Sequence, residues 1–418
     1  MPRWFRLVYG TFWLPVLPFA LVRLVWKARR NPDYHDHWRE RLALSCPEGP
    51  FDVWLHTVSV GEARAAQPVL AALLARGLRV LVTCTTPTGR ATLEHMVDRH
   101  APKPPTVRYL PYDAPWLLGR FFSCARPTLG LLVETELWPG ACDMATRHGC
   151  RVWLINARLS ERSAAGYARG GSLTTRLLGL LAGIAAQTQA HAARFRALGA
   201  RSVVVTGNLK FDVEPPADVG ERSAALIEPL LRGRAYWVAG STREGEEALL
   251  LDALAKHPLR QRAVAVIVPR HPERWSEVAA LARSRGFRVA LRSDRVADAD
   301  AEVILGDSMG EMFAWYAGAT AVVMGGTLAG TGGQNLIEPA ALGVPVALGP
   351  SVFNFQQAAE EALAAGAAVA VADATGALDA VLRWFEEPMA RERAAAAAAA
   401  FVTAHRGATA RTLKTIGL

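Results

Sequence analysis

Asp52-Val53-Trp54-Leu55-His56-Thr57-Val58-Ser59-Val60-Gly61-Glu62 is an apolar run that breaks near Thr57 and reopens as a helix, with Glu62 close to the helix start. The run is short and strand-like, and Gly61–Arg76 carries helical periodicity. Working outward, the same grammar repeats. Apolar runs at Asp52–His56, Arg79–Thr83, Leu129–Val133, Val152–Ile155 and Gly183–Ala186 alternate with amphipathic stretches such as Leu137–His148. That is the pattern of an α/β fold with parallel strands. A first domain of this kind ends near Val205, and Asn208–Asp218, with Pro215 and Pro216, reads as a linker. A second series follows at Tyr236–Ala239, Ala263–Val268, Arg288–Leu291, Val303–Leu305, Ala321–Met324 and Pro345–Leu348. The alanine run Ala394–Ala400 predicts a terminal helix, since alanine is the best helix former.

A chain of 418 residues suits two domains of about 200 residues each. Two open sheets in tandem imply a cleft between two sets of strand ends, where ligands of such folds bind. Hydrophobic residues make up 51% and charged residues 20%, a folded rather than disordered composition. The net charge of +9 favours an acidic partner: nucleic acid, an anionic membrane surface or an anionic substrate. Basic residues are spread along the chain without aromatic interleaving or a recognisable binding module, which argues against nucleic acid. Cys46, Cys84, Cys124, Cys142 and Cys150 are odd in number and form no C-x-x-C pair, so neither a disulfide framework nor a zinc knuckle is expected, and a reducing compartment fits.

Near the N-terminus, Leu7–Val22 holds no charge and is flanked by Arg3 and Arg6 before it and by Arg23, Lys27, Arg29 and Arg30 after it. The run is short for a span, which needs roughly 20 apolar residues, and it contains Pro15 and Pro18. Trp4, Phe5, Tyr9, Phe12, Trp13, Phe19 and Trp26 are residues that settle at a bilayer interface. Two readings fit: an uncleaved anchor over residues 1–30, spanning or lying in the interface with its basic cluster cytoplasmic, or a buried first helix of the domain.

Several segments carry chemistry. Gly325-Gly326-Thr327 and Gly332-Gly333-Gln334-Asn335-Leu336-Ile337-Glu338 place glycine pairs between a strand and a helix, an arrangement that lets a phosphate approach bare amides, with Glu338 one turn in for ribose hydroxyls. Arg270, at the end of the strand in Val268-Pro269-Arg270-His271-Pro272, suits two-pronged pairing with a phosphate, and His271 lies beside it or simply fills the turn. Gly310-Glu311-Met312 opens the next helix and offers further amides. In the first half, Glu62 is either a helix cap or a general base for a sugar hydroxyl. Glu134 and Glu136 follow the same strand-to-helix grammar, one to cap and one to face a site. Lys210 sits at the domain junction, a cation suited to a leaving phosphate or a substrate carboxylate. No D-x-D suited to holding a metal on a diphosphate occurs, and no H-x-x-x-H or C-x-x-C ligand set.

Taken in order, Trp38-Arg39-Glu40-Arg41, His56-Thr57-Val58-Ser59-Val60-Gly61-Glu62, Thr85-Thr86-Pro87-Thr88-Gly89, Tyr109-Leu110-Pro111-Tyr112-Asp113, Glu134-Thr135-Glu136-Leu137-Trp138-Pro139, Asn156-Ala157-Arg158-Leu159-Ser160, Ser163-Ala164-Ala165-Gly166-Tyr167, Gly207-Asn208-Leu209-Lys210-Phe211-Asp212, Ser241-Thr242 with Glu244-Gly245-Glu246, Val268-Pro269-Arg270-His271-Pro272-Glu273-Arg274 and Phe353-Asn354-Phe355 resemble the Kdo (3-deoxy-D-manno-octulosonic acid) transferases of lipopolysaccharide inner-core assembly, over nearly the whole chain. The resemblance implies a GT-B fold of two Rossmann-like domains with a cleft between them: residues 31–207 for the acceptor and 208–418 for the CMP-sugar, behind the membrane segment 1–30. It implies transfer of Kdo from CMP-Kdo to a lipid A precursor, lipid IVA, with inversion and without a metal or other cofactor, at the cytoplasmic face of a bacterial inner membrane. By position Glu62 matches the family's general base. Glu134 and Lys210 match residues that stabilise the transition state. Arg270, His271, Gly310, Glu311, Met312, Asn335, Leu336, Ile337 and Glu338 match CMP-binding segments. Gln334 departs from the histidine often found there. The rival reading is another two-domain sugar-nucleotide enzyme, a UDP-sugar transferase or a non-hydrolysing epimerase.

Overall fold

The computed structural model describes residues 1–29, 31–96, 103–294 and 300–418; Arg30 of the basic cluster lies outside them. The near-continuous apolar runs become strands buried on both faces, as parallel sheets require. β1 (Val53–His56), β2 (Val80–Cys84), β3 (Thr106–Tyr109), β4 (Leu129–Val133), β5 (Arg151–Ala157), β6 (Gly183–Ala186) and β7 (Val203–Val205) form one all-parallel sheet in the order β3-β2-β1-β4-β5-β6-β7. β8 (Tyr236–Thr242), β9 (Val264–Pro269), β10 (Val289–Leu291), β11 (Val303–Leu305), β12 (Val322–Met324), β13 (Val346–Leu348) and β14 (Ala368–Ala370) form a second, in the order β10-β11-β9-β8-β12-β13-β14. Each sheet has a topological switch point, between β1 and β4 in the first and between β8 and β12 in the second. Strand-end loops diverge there and leave room for a ligand.

The first sheet separates two cores. One face holds Trp54, Leu81, Leu132 and Phe122. The other holds Val53, Leu55, Val82 and Leu131 together with Leu413 and Ile416 from the chain's end. The second sheet buries Trp237, Ile267 and Val323 against flanking helices.

The chain divides into Met1–Val213 with Arg406–Leu418, and Glu214–His405. This differs from the expected boundary after residue 207. The turn Leu209–Asp212 stays with the first unit, and so does the last helix, Ala408–Ile416. Polar contacts hold that helix: Arg411 Nε donates to Thr206 O (2.8 Å) and the Gly407 amide donates to Asp212 Oδ1 (2.6 Å). The alanine run lies in the helix Pro388–His405, which is therefore followed by one more helix.

The N-terminal segment is a single 26-residue helix, Arg3–Ala28, that contains Pro15 and Pro18. None of its residues is buried, so it is not a core helix. It is long and apolar enough to cross a membrane. One stripe faces the first unit: Tyr9 Oη donates to Asp113 Oδ2 (2.6 Å), and the Trp13 ring lies 6.2 Å from that of Tyr112. The opposite face is apolar and open, with Leu7 73% and Phe19 70% exposed.

Candidate functional site

Glu62 lies in the first turn of the helix that follows β1, the strand beside β4, whose end carries Glu134. Ser59 caps the helix Val60–Ala75, its Oγ accepting from the Glu62 amide (3.3 Å). The carboxyl turns back on the loop, where Oε2 accepts from Val58 N (2.7 Å) and Oε1 from the Ser59 hydroxyl (3.1 Å). This is a capping box with its return bond one residue early. Burial pushes the Glu62 carboxyl up to about 7, the charges of Glu134 and Glu136 push the same way, and the Val58 and Ser59 bonds oppose. Capping and proton exchange near neutrality thus coexist in one side chain.

Glu134 adopts a left-handed backbone, φ 63°, at the strand end. Such strain persists only where the surroundings enforce it. Its amide donates to Ile155 O (3.0 Å). Its Oε1 is 3.1 Å from Lys210 Nζ, and both side chains are largely enclosed. Lys210 rides on the 3₁₀ turn Leu209–Asp212, which packs against the Glu62 helix. Asn156, fully buried and also left-handed at φ 50°, fixes that turn, its Oδ1 accepting from Leu209 N (3.0 Å). Burial raises Glu136 as well, against the bond it accepts from Trp138 Nε1 (2.7 Å). The first unit therefore gathers Glu62, Glu134 and Lys210, the last of which was expected in the second domain, and adds Asn156 as a support. Asn156 stood in a quoted motif, but nothing in its local sequence foretold the bond to Leu209.

In the second unit, Arg270 and His271 follow β9, with Arg270 N donating to Thr242 O (2.9 Å) at the end of β8. Arg243 Nη1 donates to His271 Nε2 (2.7 Å). Burial first, then the Arg243 charge, lowers the His271 pKa, in keeping with a ring nitrogen that accepts from Arg243. Gly310, at φ 82°, turns the chain into the short helix Met312–Ala317. The Glu311 carboxylate is engaged by Arg292 through two bonds of 3.1 Å and by Ser308 Oγ, so it braces this loop. Asn335 Oδ1 accepts from Ile337 N (3.2 Å), and its Nδ2 donates to Glu338 Oε1 (3.1 Å), which orients that carboxylate. Leu336 and Ile337 are core residues, 2% and 1% exposed, so what they offer a ligand is backbone.

The glycine loops behave differently from expectation. Gly326 N (2.6 Å) and Leu328 N (2.8 Å) donate to Glu246, Gly332 N to Ser351 Oγ (3.1 Å), and Gly333 N to Gly326 O (2.8 Å). These amides are committed within the protein, so they are not a bare phosphate cradle. The glycines serve close approach instead: a Cβ on Gly325 would sit 2.3 Å from Ser241 O, and one on Gly332 would sit 2.5 Å from the Phe353 ring. Asn354 of the Phe-Asn-Phe motif braces the second pair, its amide donating to Gly332 O (2.8 Å) and its Nδ2 to Thr331 O (2.9 Å).

The family model described as 3-Deoxy-D-manno-octulosonic-acid transferase (kdotransferase) matches residues 36–213. A 3-deoxy-D-manno-octulosonic acid transferase of Bordetella pertussis is 42% identical over 374 residues, 86% of each chain. Its namesake in Haemophilus influenzae is 32% identical over 369 residues, 84% of each. Among solved structures, UDP-GlcNAc 2-epimerase from Neisseria meningitidis bound to UDP-GlcNAc superposes with a TM-score of 0.60 at 16% identity, covering 87% of this chain and 99% of that one. At such identity the likeness shows fold alone: two parallel-sheet Rossmann-like domains of GT-B type.

Proposed function

Because the chain belongs to the 3-deoxy-D-manno-octulosonic acid transferase family, and is thus a glycosyltransferase of lipopolysaccharide core synthesis, we propose that it moves Kdo from CMP-Kdo to the lipid A precursor lipid IVA, with inversion at the anomeric carbon, with Glu62 as general base and without a metal. The observation that carries this reading is a buried carboxyl, 9% exposed and raised to about 7, beside an ion pair of Glu134 and Lys210 at a switch point. A sugar hydroxyl is a poor nucleophile until a positioned base takes its proton, and a base with pKa near the working pH does this best. Glu62 accepts the acceptor's proton as the new C–O bond forms and the bond to CMP breaks. Lys210, oriented by Glu134, offsets negative charge on the sugar acid or the leaving group.

In this reading the second unit binds CMP. Arg270 pairs with the phosphate, which leaves as a phosphomonoester. Glu338, oriented by Asn335, accepts from the ribose hydroxyls, and His271, Gly310, Glu311, Met312, Leu336 and Ile337 complete the walls. Both substrates are anionic, in keeping with a net charge of +9. The helix Arg3–Ala28 holds the enzyme at the cytoplasmic face of the inner membrane, where its lipid acceptor is concentrated.

The test is incubation with CMP-Kdo and lipid IVA, with products counted by mass. Glu62→Ala should abolish transfer while leaving CMP-Kdo binding largely intact; near-normal turnover would remove Glu62 from the mechanism. Binding of UMP or UDP in preference to CMP would favour a different sugar-nucleotide enzyme.

A further inference from the structure

Two consecutive acids, Glu246 and Glu247, are almost wholly shut from solvent, at 1% and 0% exposure. Neither belongs to the donor-binding set above. They open the helix Glu246–Leu254 just past β8, the strand that lies between β9 and β12. Their carboxylates turn to opposite neighbours. Glu246 turns toward β12, where Oε2 accepts from Gly326 N (2.6 Å) and Oε1 from Leu328 N (2.8 Å) in the glycine turn. Its Oε2 also accepts from Arg243 N (2.8 Å) in its own loop. Glu247 turns toward β9, where Arg274 grips it through Nη1–Oε1 (2.8 Å) and Nη2–Oε2 (3.1 Å), while Thr242 Oγ1 donates to Oε1 (2.7 Å). A buried carboxylate is tolerated only when hydrogen-bonded or paired, so each acid holds its neighbouring loop in one geometry.

The connections run on to the donor-binding residues. Gly326 O accepts from Gly333 N (2.8 Å), so whatever holds Gly326 also holds the start of the segment that carries Asn335 and Glu338. Arg270 and His271 are framed between Thr242 O, which accepts from Arg270 N (2.9 Å), and Arg274.

We propose that Glu246 and Glu247 are positioning residues that form a two-sided clamp at the end of β8: Glu246 sets the β12 loops for the nucleoside end of the donor, and Glu247 sets the β9 loop for its phosphate end. The proposal rests on the nucleotide reading given above. Neither carboxylate touches the reacting atoms. Each fixes a loop, and β8 fixes the spacing between the loops.

The division of labour is measurable on the full chain in detergent, by titration with cytidine and with CMP. Glu246→Gln sets an NH2 group against N–H donors of the glycine turn; it should weaken cytidine and CMP together, by roughly tenfold, and leave their ratio unchanged. Glu247→Gln weakens the hold on Arg274; it should cut the gain CMP enjoys over cytidine by roughly tenfold, while cytidine itself moves by less than about threefold. Arg274→Gln should reproduce the second pattern and covers the case in which the Glu247 variant does not fold. The acceptor KM should not change in the Glu246 or Glu247 variant. Without nucleotide, amide exchange at Gly326 and Leu328 should accelerate in Glu246→Gln alone. Equal losses for both ligands in both variants, or no loss, would overturn the clamp. A native chain that prefers UMP to CMP would overturn the donor assignment, and the same ratios taken with uridine and UMP would then decide the clamp.

Discussion

Replacing Glu62 by Gln should abolish transfer and yet stabilise the protein, by an amount that depends on pH. Folding lifts this carboxyl from an ordinary 4.5 to about 7, mainly because burial penalises the charged form. Below pH 4.5 both folded and unfolded chains carry the proton, and the group contributes nothing. As pH rises from 4.5 to 7 the unfolded chain releases the proton first, so stability falls; above 7 the loss is complete, at roughly 3 kcal/mol. Between pH 5 and pH 8 the native chain should lose about 2–3 kcal/mol that Glu62→Gln keeps. The substitution preserves local contacts: the amide oxygen accepts from Val58 N, and the amide nitrogen donates to Ser59 Oγ, the two partners the carboxyl now uses. Urea unfolding of both proteins at pH 5 and pH 8 reads the difference. The same ionisation acts on catalysis with the opposite sign, since only the deprotonated base works, and the native rate should fall about tenfold per pH unit below 7. A stability difference between the two proteins that is the same at both pH values would refute the reasoning, because Glu62 would then titrate alike in the folded and unfolded chains.

Other outcomes follow from the same geometry. Glu134→Gln removes a charge that raises Glu62 and the carboxylate that pairs with Lys210, so the acidic limb of the pH–rate profile should move to lower pH; an unmoved limb would disconnect the two acids. Asn156→Ala leaves the buried Leu209 amide without its acceptor and puts alanine at φ 50°, costing roughly 2–3 kcal/mol in urea unfolding and lowering kcat through a loosened Lys210. Deleting residues 1–30 should release the enzyme into the soluble fraction on sedimentation, and a truncated chain that still pellets with membranes would show a second attachment.

Much of the fold was legible because parallel strands buried on both faces announce themselves as unbroken apolar runs. Three of the four edge strands do not. Thr106–Tyr109 buries only alternate residues and carries Arg108, and in Val203–Val205 the side chains of Val204 and Val205 are 42% and 38% exposed. Neither these two nor Ala368–Ala370 stood out beforehand. The return of the last helix to the first unit was equally hidden, since Asp212 and Gly407 meet across 195 residues of sequence.

At the site, local grammar placed Glu62 at a helix start, and cap and base stood as competing readings. The geometry shows the cap, and the base is proposed on the same side chain. A capping carboxyl that is also buried among other acids titrates near neutrality, and the bonds that hold it in place oppose the shift without cancelling it. The glycine pairs teach the converse lesson. A glycine between strand and helix shows that something comes close there, but it does not say whether that neighbour is a ligand or the protein itself. At Gly326 the neighbour is a glutamate 80 residues earlier in the chain. The amides Glu246 has taken are closed to a phosphate, so the proposed donor site leaves that group to side chains on the β9 side such as Arg270, and removing Glu246 should reach the nucleoside end without touching it.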